Sequence, residues 1–465
     1  MYLIPQTWPH VHILVSVFPT FGLLIALAFY IAAFRTGNDV IKRTCLLLIG
    51  LLGLLSVPIY LSGLGAQTAL AGPKLPADVL NAHTAPAMAA LVALVVTGLA
   101  AFVELARSRK GAVDPRYVVL TLAIITLVLT AAAGELGFAI AHRELASTVV
   151  IPDVTTSPIW PHVHIILNHV PTAGFVFALF FFVVALLTDN DGLKRGSLVL
   201  FIICAIVGVP TYVSGTASMW ALTQPPIPEI SKAVINAHRD MAFWTLIGLA
   251  VTGGAAWLEL WGHRYYGRFS GFSLGLVLLF ALVTLGVMTE TGHRGGLINH
   301  PEIRGAADIL RTDPDAGVSV AIEAQMKNMG AFISWQIVHF FGYCLIFASV
   351  LAVCLRIFGA WKSLSFAAVH RLLVLGFLGV LMNVVSGLFM MLADSYRYVV
   401  SDILFAPKMA LIPFGVMAAL YFSASERVWT IKPGESAPAT AKWVALVTLV
   451  AWAGVIICGR LLPYI

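Results

Sequence analysis

Charged residues are scarce in this chain. Only 11% of its residues are Asp, Glu, Lys or Arg, whereas soluble domains carry roughly 25%, and its mean hydropathy is +0.93. The apolar runs reach about 20 residues, the length that an α-helix needs to cross a bilayer. They are continuous rather than alternating, which excludes an outer-membrane barrel. The sequence therefore predicts an all-α integral membrane protein.

Other features are missing as well. No Cys-x-x-Cys-His sequence occurs, which excludes covalently attached haem, and the five cysteines lie within apolar runs, so no disulfide framework is expected. The N-terminus lacks the basic segment of a cleavable signal peptide. The pI near 9.1 comes from Lys and Arg in the loops. In a membrane protein these residues report the orientation of the spans. The expected partner is therefore the lipid bilayer, and no nucleic-acid partner is expected.

The hydropathy pattern predicts twelve spans. Their predicted positions are roughly 10–34, 43–65, 78–105, 117–141, 161–187, 195–221, 231–261, 270–290, 331–357, 366–392, 403–424 and 441–463. Short connections on one side carry most of the Lys and Arg residues. The positive-inside rule makes that side cytoplasmic and both termini external, in a bacterial inner (cytoplasmic) membrane.

An internal repeat organises the first two thirds of the chain. The matching pairs are Trp8-Pro9-His10-Val11-His12 with Trp160-Pro161-His162-Val163-His164, Ser62-Gly63 with Ser214-Gly215, Asn81-Ala82-His83 with Asn236-Ala237-His238, and Gly134-Glu135-Leu136-Gly137 with Thr289-Glu290-Thr291-Gly292. The offset is 152 residues at first and 155 from the third span onward. We interpret this as a tandem duplication of four helices, with the copies related by an axis along the membrane normal. Unit 1 is residues 1–150 and unit 2 is residues 151–320; unit 3, residues 321–465, is a further four-helix unit without clear similarity to them.

Histidines gather on the predicted external side, which receives eleven of the thirteen. Ionisable groups within spans are rare and by default mark a functional site. The candidate ligands of a haem or metal ion are His10, His12, His83, His142, His162, His164, His169, His238, His293 and His300. His164 and His169 are five residues apart and so do not share a helix face. Ligands to one centre are therefore expected from two helices, for example the first and third of a unit.

Haem b suits this pattern, because it needs two axial ligands and a slot between helices. Ser62-Gly63 and Thr97-Gly98, with their counterparts in unit 2, could provide the slot. Copper or zinc would need three or four close ligands, which the external loops could also supply. The alternative without a cofactor is that the histidines cap helix ends or pack at the interface.

Further polar residues accompany the histidines. Glu135 and Glu290 could hydrogen-bond a ligand histidine or pass protons. The stretch 291–296 predicts a glycine-rich loop, in which His293 would be a ligand and Arg294 would hold a haem propionate. In unit 3, His339 is a candidate ligand for haem or quinone, while Lys408 is expected to extend to the membrane interface.

These motifs resemble a bacterial family of small four-helix membrane proteins of unassigned function. The resemblance rests on His164-x4-His169-Val-Pro171, a Thr-Gly pair in the third helix, and Thr291-Gly-His-Arg-Gly-Gly296. The family pattern starts with His-x4-His-Phe-Pro and ends with Thr-Gly-x-x-Gly-Gly, and the family is suspected of binding haem. Residues 160–305 resemble it well and residues 8–145 less so, since Val17 replaces the second histidine there. Unit 3, with a His in its first span and a Lys in its third, resembles a second family of predicted membrane redox proteins.

The sequence thus favours a b-type cytochrome-like electron-transfer subunit with haems near the periplasmic face. It would link a quinone with an external redox partner, beside other membrane or periplasmic redox subunits, and its catalytic centre could lie in a partner. Two alternatives remain. One is a secondary transporter, for which twelve spans in repeats are a common plan, although the polar residues gather at one face. The other is a structural anchor whose histidines bind copper or merely pack.

Overall fold

The structure, a computed structural model, describes residues 7–70, 77–108, 116–141, 159–223, 231–299, 317–401 and 403–462. Within these ranges it is all-α, without a strand, and twelve helical segments are long and apolar enough to cross a membrane. The protein is therefore an all-α integral membrane protein with twelve spans. This confirms the predicted fold class.

The helices follow the predicted spans closely. In unit 1 they are α1 (Trp8–Val15), α2 (Phe18–Thr36), α3 (Asp39–Leu70), α4 (Ala77–Ser108) and α5 (Arg116–Ala141). In unit 2 they are α6 (Ile159–Thr188), α7 (Asp191–Thr223), α8 (Lys232–Tyr266) and α9 (Gly271–Asn299). In unit 3 they are α10 (Val318–Met326), α11 (Met329–Phe358), α12 (Phe366–His370), α13 (Leu373–Ala393), α14 (Phe405–Ala424), α15 (Glu426–Trp429) and α16 (Ala439–Leu461), with a short π-helix at Arg397–Ser401.

One predicted loop is helical. Helix α9 continues to Asn299, so the stretch 291–296 forms its last turns rather than a glycine-rich turn. The glycines with positive φ are elsewhere, at Gly37, Gly267, Gly317, Gly359 and Gly434. The glycines of the motif therefore act within a helix, where the missing side chain allows a neighbour to approach the backbone.

The outer surface of the bundle is strongly apolar. Leu187, Phe272 and Phe341 expose 81%, 78% and 64% of their surface. In a soluble protein such patches would favour aggregation, but on these spans they face lipid. Buried contacts between helices are made instead by tightly packed aromatic, aliphatic and small residues.

Units 1 and 2 meet along their first long helices, α2 and α6. Phe29 stacks on Phe181 with ring centroids 4.4 Å apart and an interplanar angle of 14°. Toward the predicted cytoplasmic end, Asn38 donates to Asn190 at 3.3 Å, and Asn190 donates back to Asn38 at 3.5 Å. Each pair joins positions 152 residues apart, which is the offset of the repeat. Reciprocal contacts of this kind are what the predicted two-fold relation between the copies would give.

The same end of the bundle joins unit 3 to unit 2. Trp257 and Trp261 each donate their indole N–H to Ser423 Oγ, at 3.2 and 2.9 Å. The Nε2 atom of His370 lies 3.1 Å from the same hydroxyl, and its Nδ1 lies 3.2 Å from Tyr265 Oη. This histidine is 1% exposed. It is thus part of the packing between units, at the end opposite to the candidate ligands.

Candidate functional site

A large cavity lies between units 1 and 2, toward the predicted external end of the spans. It encloses 1810 Å³, more than the roughly 300–1,000 Å³ of a typical small-molecule pocket. Eight of the candidate histidines line it, namely His10, His12, His83, His162, His164, His169, His238 and His293. Candidates predicted separately in each unit therefore share one cavity. His142 and His300 lie outside the described residues.

In unit 2, the first and third helices bring two histidines together. The rings of His164 on α6 and His238 on α8 have centroids 6.5 Å apart and stand nearly perpendicular, at 76°. His164 Nδ1 lies 3.0 Å from the carbonyl of Thr211, and His238 Nδ1 lies 3.0 Å from the carbonyl of Thr291. A carbonyl only accepts, so each Nδ1 carries the proton. In the neutral ring each Nε2 then keeps a lone pair, which is the state that a metal ligand needs.

Unit 1 repeats this arrangement. His12 Nδ1 lies 3.2 Å from the carbonyl of Ile59 and 3.1 Å from Ser62 Oγ. The Ser62 hydroxyl itself donates to Ile59 at 2.6 Å, so the histidine is the donor to this pair. His83, on the third helix, lies against the carbonyl of Ala133, although its Nδ1 makes no hydrogen bond of normal geometry within the described residues. His12 and His83 are close enough to interact electrostatically.

A glycine beneath each of the four rings allows this approach. A methyl group at Gly63 would lie 2.9 Å from His12 Cε1, and one at Gly215 would lie 2.8 Å from His164 Cε1. On the fourth helices, methyl groups at Gly137 and Gly295 would lie 3.2 and 3.0 Å from the Cε1 atoms of His83 and His238. Each glycine therefore fixes how close the ring lies to the backbone.

The third-helix glycines have another role than the one predicted. A methyl group at Gly98 would lie 2.9 Å from the Cα of Gly53, and one at Gly253 would lie 2.5 Å from the Cβ of Ala205. These glycines allow the second and third helices of each unit to pack closely. Neither glycine lines the cavity described above.

The fourth helices correspond differently from the predicted alignment. Thr97 and Thr126 hydroxyls are 2.7 Å apart, and in unit 2 the same contact, of 3.0 Å, joins Thr252 to Thr284. Thr284 lies 158 residues after Thr126, as Gly295 does after Gly137, so the predicted offset of 155 is three residues short for this helix. Consequently Glu135 corresponds in position to His293, and not to Glu290.

Three further histidines make contacts across the units. The rings of His10 and His293 are stacked with centroids 5.2 Å apart, and His293 Nδ1 lies 3.5 Å from His10 Nε2. His169 stacks on Phe21 of α2 at 5.2 Å and 11°, while its Nδ1 lies 2.5 Å from the carbonyl of Ile165, one turn back on its own helix. The hydrogen bond of His169 is thus made to its own helix and not to His164 or His238.

The candidate acids and Arg294 do not hydrogen-bond the paired histidines. Glu290 and Glu135 line the cavity. Glu290 accepts from Arg294 Nε at 2.8 Å, one turn along α9, and Arg294 is absent from the cavity lining within the described residues. The predicted hydrogen bond from Glu290 to a ligand histidine is therefore replaced by this ion pair.

The sequence reasoning missed Arg239, which follows His238 directly. It is only 8% exposed and lines the cavity. Its Nη1 lies 3.6 Å from Met219 Sδ, and its Nε has no hydrogen-bond partner among the described residues. A buried cation beside a cavity suits an anionic ligand group such as a carboxylate. The available signal was an Arg next to a candidate histidine within a span of lower hydropathy.

His339 lies outside this cavity, in unit 3. Its Nδ1 is 2.9 Å from Ser386 Oγ, and its ring is 5.0 Å from that of Tyr343. Across the described residues, no group of three or more His, Cys, Asp or Glu side chains is arranged to hold a metal ion. The site therefore offers histidines in pairs.

Fold and cavity together define a multi-span membrane protein with histidines gathered at one end of its helices. Residues 161–300, which span the four helices of unit 2 except the first two residues of α6, match the model of a family described as "Predicted membrane protein (DUF2231)". The match supports a membrane family of unassigned function. No curated protein and no solved structure matches the chain.

Proposed function

We propose that this protein is a b-type cytochrome-like electron-transfer subunit. In this proposal unit 1 holds one haem b between His12 and His83, and unit 2 holds another between His164 and His238. The observation that carries the proposal is the paired histidines, each from the first and third helix of a unit. In three of the four, Nδ1 is tied to a backbone carbonyl, which leaves Nε2 as a ligand.

The distance within the unit 2 pair fits one metal ion between two rings. With metal–nitrogen bonds of about 2.0 Å, and a ring centroid about 1.1 Å behind its nitrogen, two opposed imidazoles have centroids about 6.2 Å apart. The observed separation is 6.5 Å. Haem iron needs only two protein ligands, because the porphyrin supplies the other four. Copper or zinc bound by protein alone would need more donors than the described residues bring together.

The residues around the pairs support haem binding in other ways. The carbonyl contacts orient the axial rings and increase their basicity. Arg239 supplies a buried positive charge for a propionate. The shared cavity has the volume for more than one large cofactor. Bound haem would supply one-electron redox chemistry, which the protein tunes through its axial ligands and through burial.

We further propose that this cavity faces the periplasm of a bacterial inner membrane, and the distribution of Lys and Arg in the loops supports this orientation. Electrons would then pass between a quinone in the outer half of the membrane and an external redox partner, beside other membrane or periplasmic subunits. We also propose that units 1 and 2 are tandem copies. The recurrence of the histidine, serine and glycine contacts at an offset of 152 residues supports this proposal.

The first experiment is a reduced-minus-oxidised optical spectrum of the purified full chain, with a pyridine haemochrome assay of haem per chain and a metal analysis. We expect at least two b haems per chain, and one fewer in His238→Ala. His263→Ala is the control, because this histidine lies at the other end of α8 and packs on Phe269. An unchanged haem content in His238→Ala would overturn the assignment of His238. Wild-type protein without haem or metal would overturn the function and leave the twelve-helix transporter as the first reading.

A further inference from the structure

Unit 3 repeats the contacts that hold the first-helix histidine in the other two units, although its sequence shows no clear similarity to them. His339 on α11 contacts Ser386 Oγ at 2.9 Å and lies against the carbonyl of Asn383, three residues earlier on α13. A methyl group at Gly387 would lie 3.3 Å from His339 Cε1. Thus a histidine of the first helix again contacts three groups of the second helix. They are a backbone carbonyl, the serine three residues later and the glycine that follows this serine.

The position of the second histidine is taken by a lysine. In units 1 and 2, His83 and His238 on the third helix lie over a glycine of the fourth helix. In unit 3, a methyl group at Gly459 of the fourth helix would lie 3.5 Å from the Nζ and Cε atoms of Lys408, on the third helix. Lys408 is also close enough to His339 to act on it electrostatically. Lys408 is half-buried and lies against the last turn of α16.

The hydrogen bonds leave His339 ready to bind a metal ion. The Ser386 hydroxyl donates to the carbonyl of Met382 at 2.5 Å, so His339 Nδ1 is the donor to Ser386 and Nε2 carries the lone pair. Within the described residues this Nε2 is buried without a hydrogen-bond partner. Buried polar atoms are normally satisfied, so this unpaired acceptor within a span is a candidate position for a bound ligand.

We propose that unit 3 is a third, divergent copy and holds a third haem, with His339 and Lys408 as its axial ligands. This inference rests on the proposed function of units 1 and 2. It adds one centre of a different kind, because Lys binds a metal ion only as the neutral amine. The axial ligand is a main determinant of haem potential. We therefore expect the unit 3 haem to differ from the other two in ligand-sensitive spectra.

The test measures haem per chain and the ferric spin state in the purified full chain. Wild-type protein should hold three haems, all low-spin, and His339→Ala should hold two. Lys408→Leu should keep three haems, with one third of the ferric haem converted to high-spin, and Lys408→His should restore the low-spin state. His370→Ala is the matched control, a buried histidine of the same unit at the opposite end, and it should keep three haems.

The outcomes separate the two proposals. Wild-type protein without haem would overturn the proposed function itself. Haem-containing wild-type protein whose haem content is the same in His339→Ala would overturn only the third site. An unchanged spin state in Lys408→Leu would remove Lys408 as a ligand. Should His339→Ala fail to accumulate in the membrane, the spin state of Lys408→Leu and its reversal in Lys408→His decide the question.

Discussion

Gly295→Ala would test whether the glycine under a histidine controls haem binding. The added methyl group would lie 3.0 Å from His238 Cε1, so the ring must move by about 0.5 Å to regain ordinary van der Waals contact. That movement strains the bond between His238 Nδ1 and the Thr291 carbonyl, whose length is 3.0 Å. Overpacking costs about 1–3 kcal/mol and a weakened hydrogen bond about 1 kcal/mol. A combined loss of about 2–4 kcal/mol would weaken haem binding roughly 30- to 700-fold.

Gly292→Ala is a closely matched control. Gly292 lies one turn earlier on α9, within the same motif, and a methyl group there meets nothing within 4 Å among the described residues. Both substitutions raise helix propensity by up to about 1 kcal/mol, so that contribution cancels in the comparison. The assay is the rate at which haem passes from the purified protein to excess apomyoglobin. We expect one haem to leave much faster in Gly295→Ala and none in Gly292→Ala. Equal rates and identical spectra for the two variants would refute the hypothesis that Gly295 controls haem binding through the position of His238.

Three further variants test the surroundings of the site. His169→Val introduces the residue that stands at the same position in unit 1, Val17. It should leave haem content unchanged, because His169 is hydrogen-bonded to a carbonyl of its own helix. Loss of one haem in the pyridine haemochrome assay would show that His169 is a ligand. Arg239→Leu should lower the midpoint potential of one haem, because a buried cation beside the cavity favours the reduced state; a unit charge ~10 Å from a redox centre, at an effective dielectric constant of ~20, changes its potential by roughly 50–100 mV. Redox titration measures the shift, and an unchanged or raised potential would exclude this role. Glu104→Gln should leave haem content unchanged but lower the melting temperature. It breaks the buried ion pair with Lys42, in which the Nζ–Oε1 distance is 3.2 Å, at a cost of about 3–5 kcal/mol of folding stability. An unaltered melting temperature would contradict this expectation.

The twelve spans and the choice of first and third helices could be predicted from the sequence. Hydropathy reports length and burial in lipid directly, and the spacing of His164 and His169 excluded a shared helix face. The single cavity between the units could not be predicted in this way. It depends on how α2 and α6 pack, and contacts such as Phe29 on Phe181 join residues far apart in the chain.

The errors have a common physical origin. A shift of three residues moves a side chain about 4.5 Å along a helix but only about 60° around it. A motif alignment therefore hardly distinguishes an offset of 155 from one of 158, and Glu135 was matched to Glu290 instead of His293. Similarly, the glycines of 291–296 predicted a turn, while in the helix they accept a ring from a neighbour. The contacts of His339 could not be predicted, because they join residues on two helices. In sequence, unit 3 shares only the Ser-Gly pair with the corresponding stretch of both other units.

The paired Asn38 and Asn190, and the stacked Phe29 and Phe181, have a consequence for any protein built from a single unit of this kind. An isologous homodimer places each residue on its axis against its own copy. A protein made of one four-helix unit would therefore enclose this cavity only by dimerising, and it would carry identical residues on both sides. Joining two units in one chain fixes their ratio and orientation, and it frees each side to change separately. Val17 stands at the position of His169, and Glu135 at that of His293; a symmetric dimer could not carry such differences between its two sides.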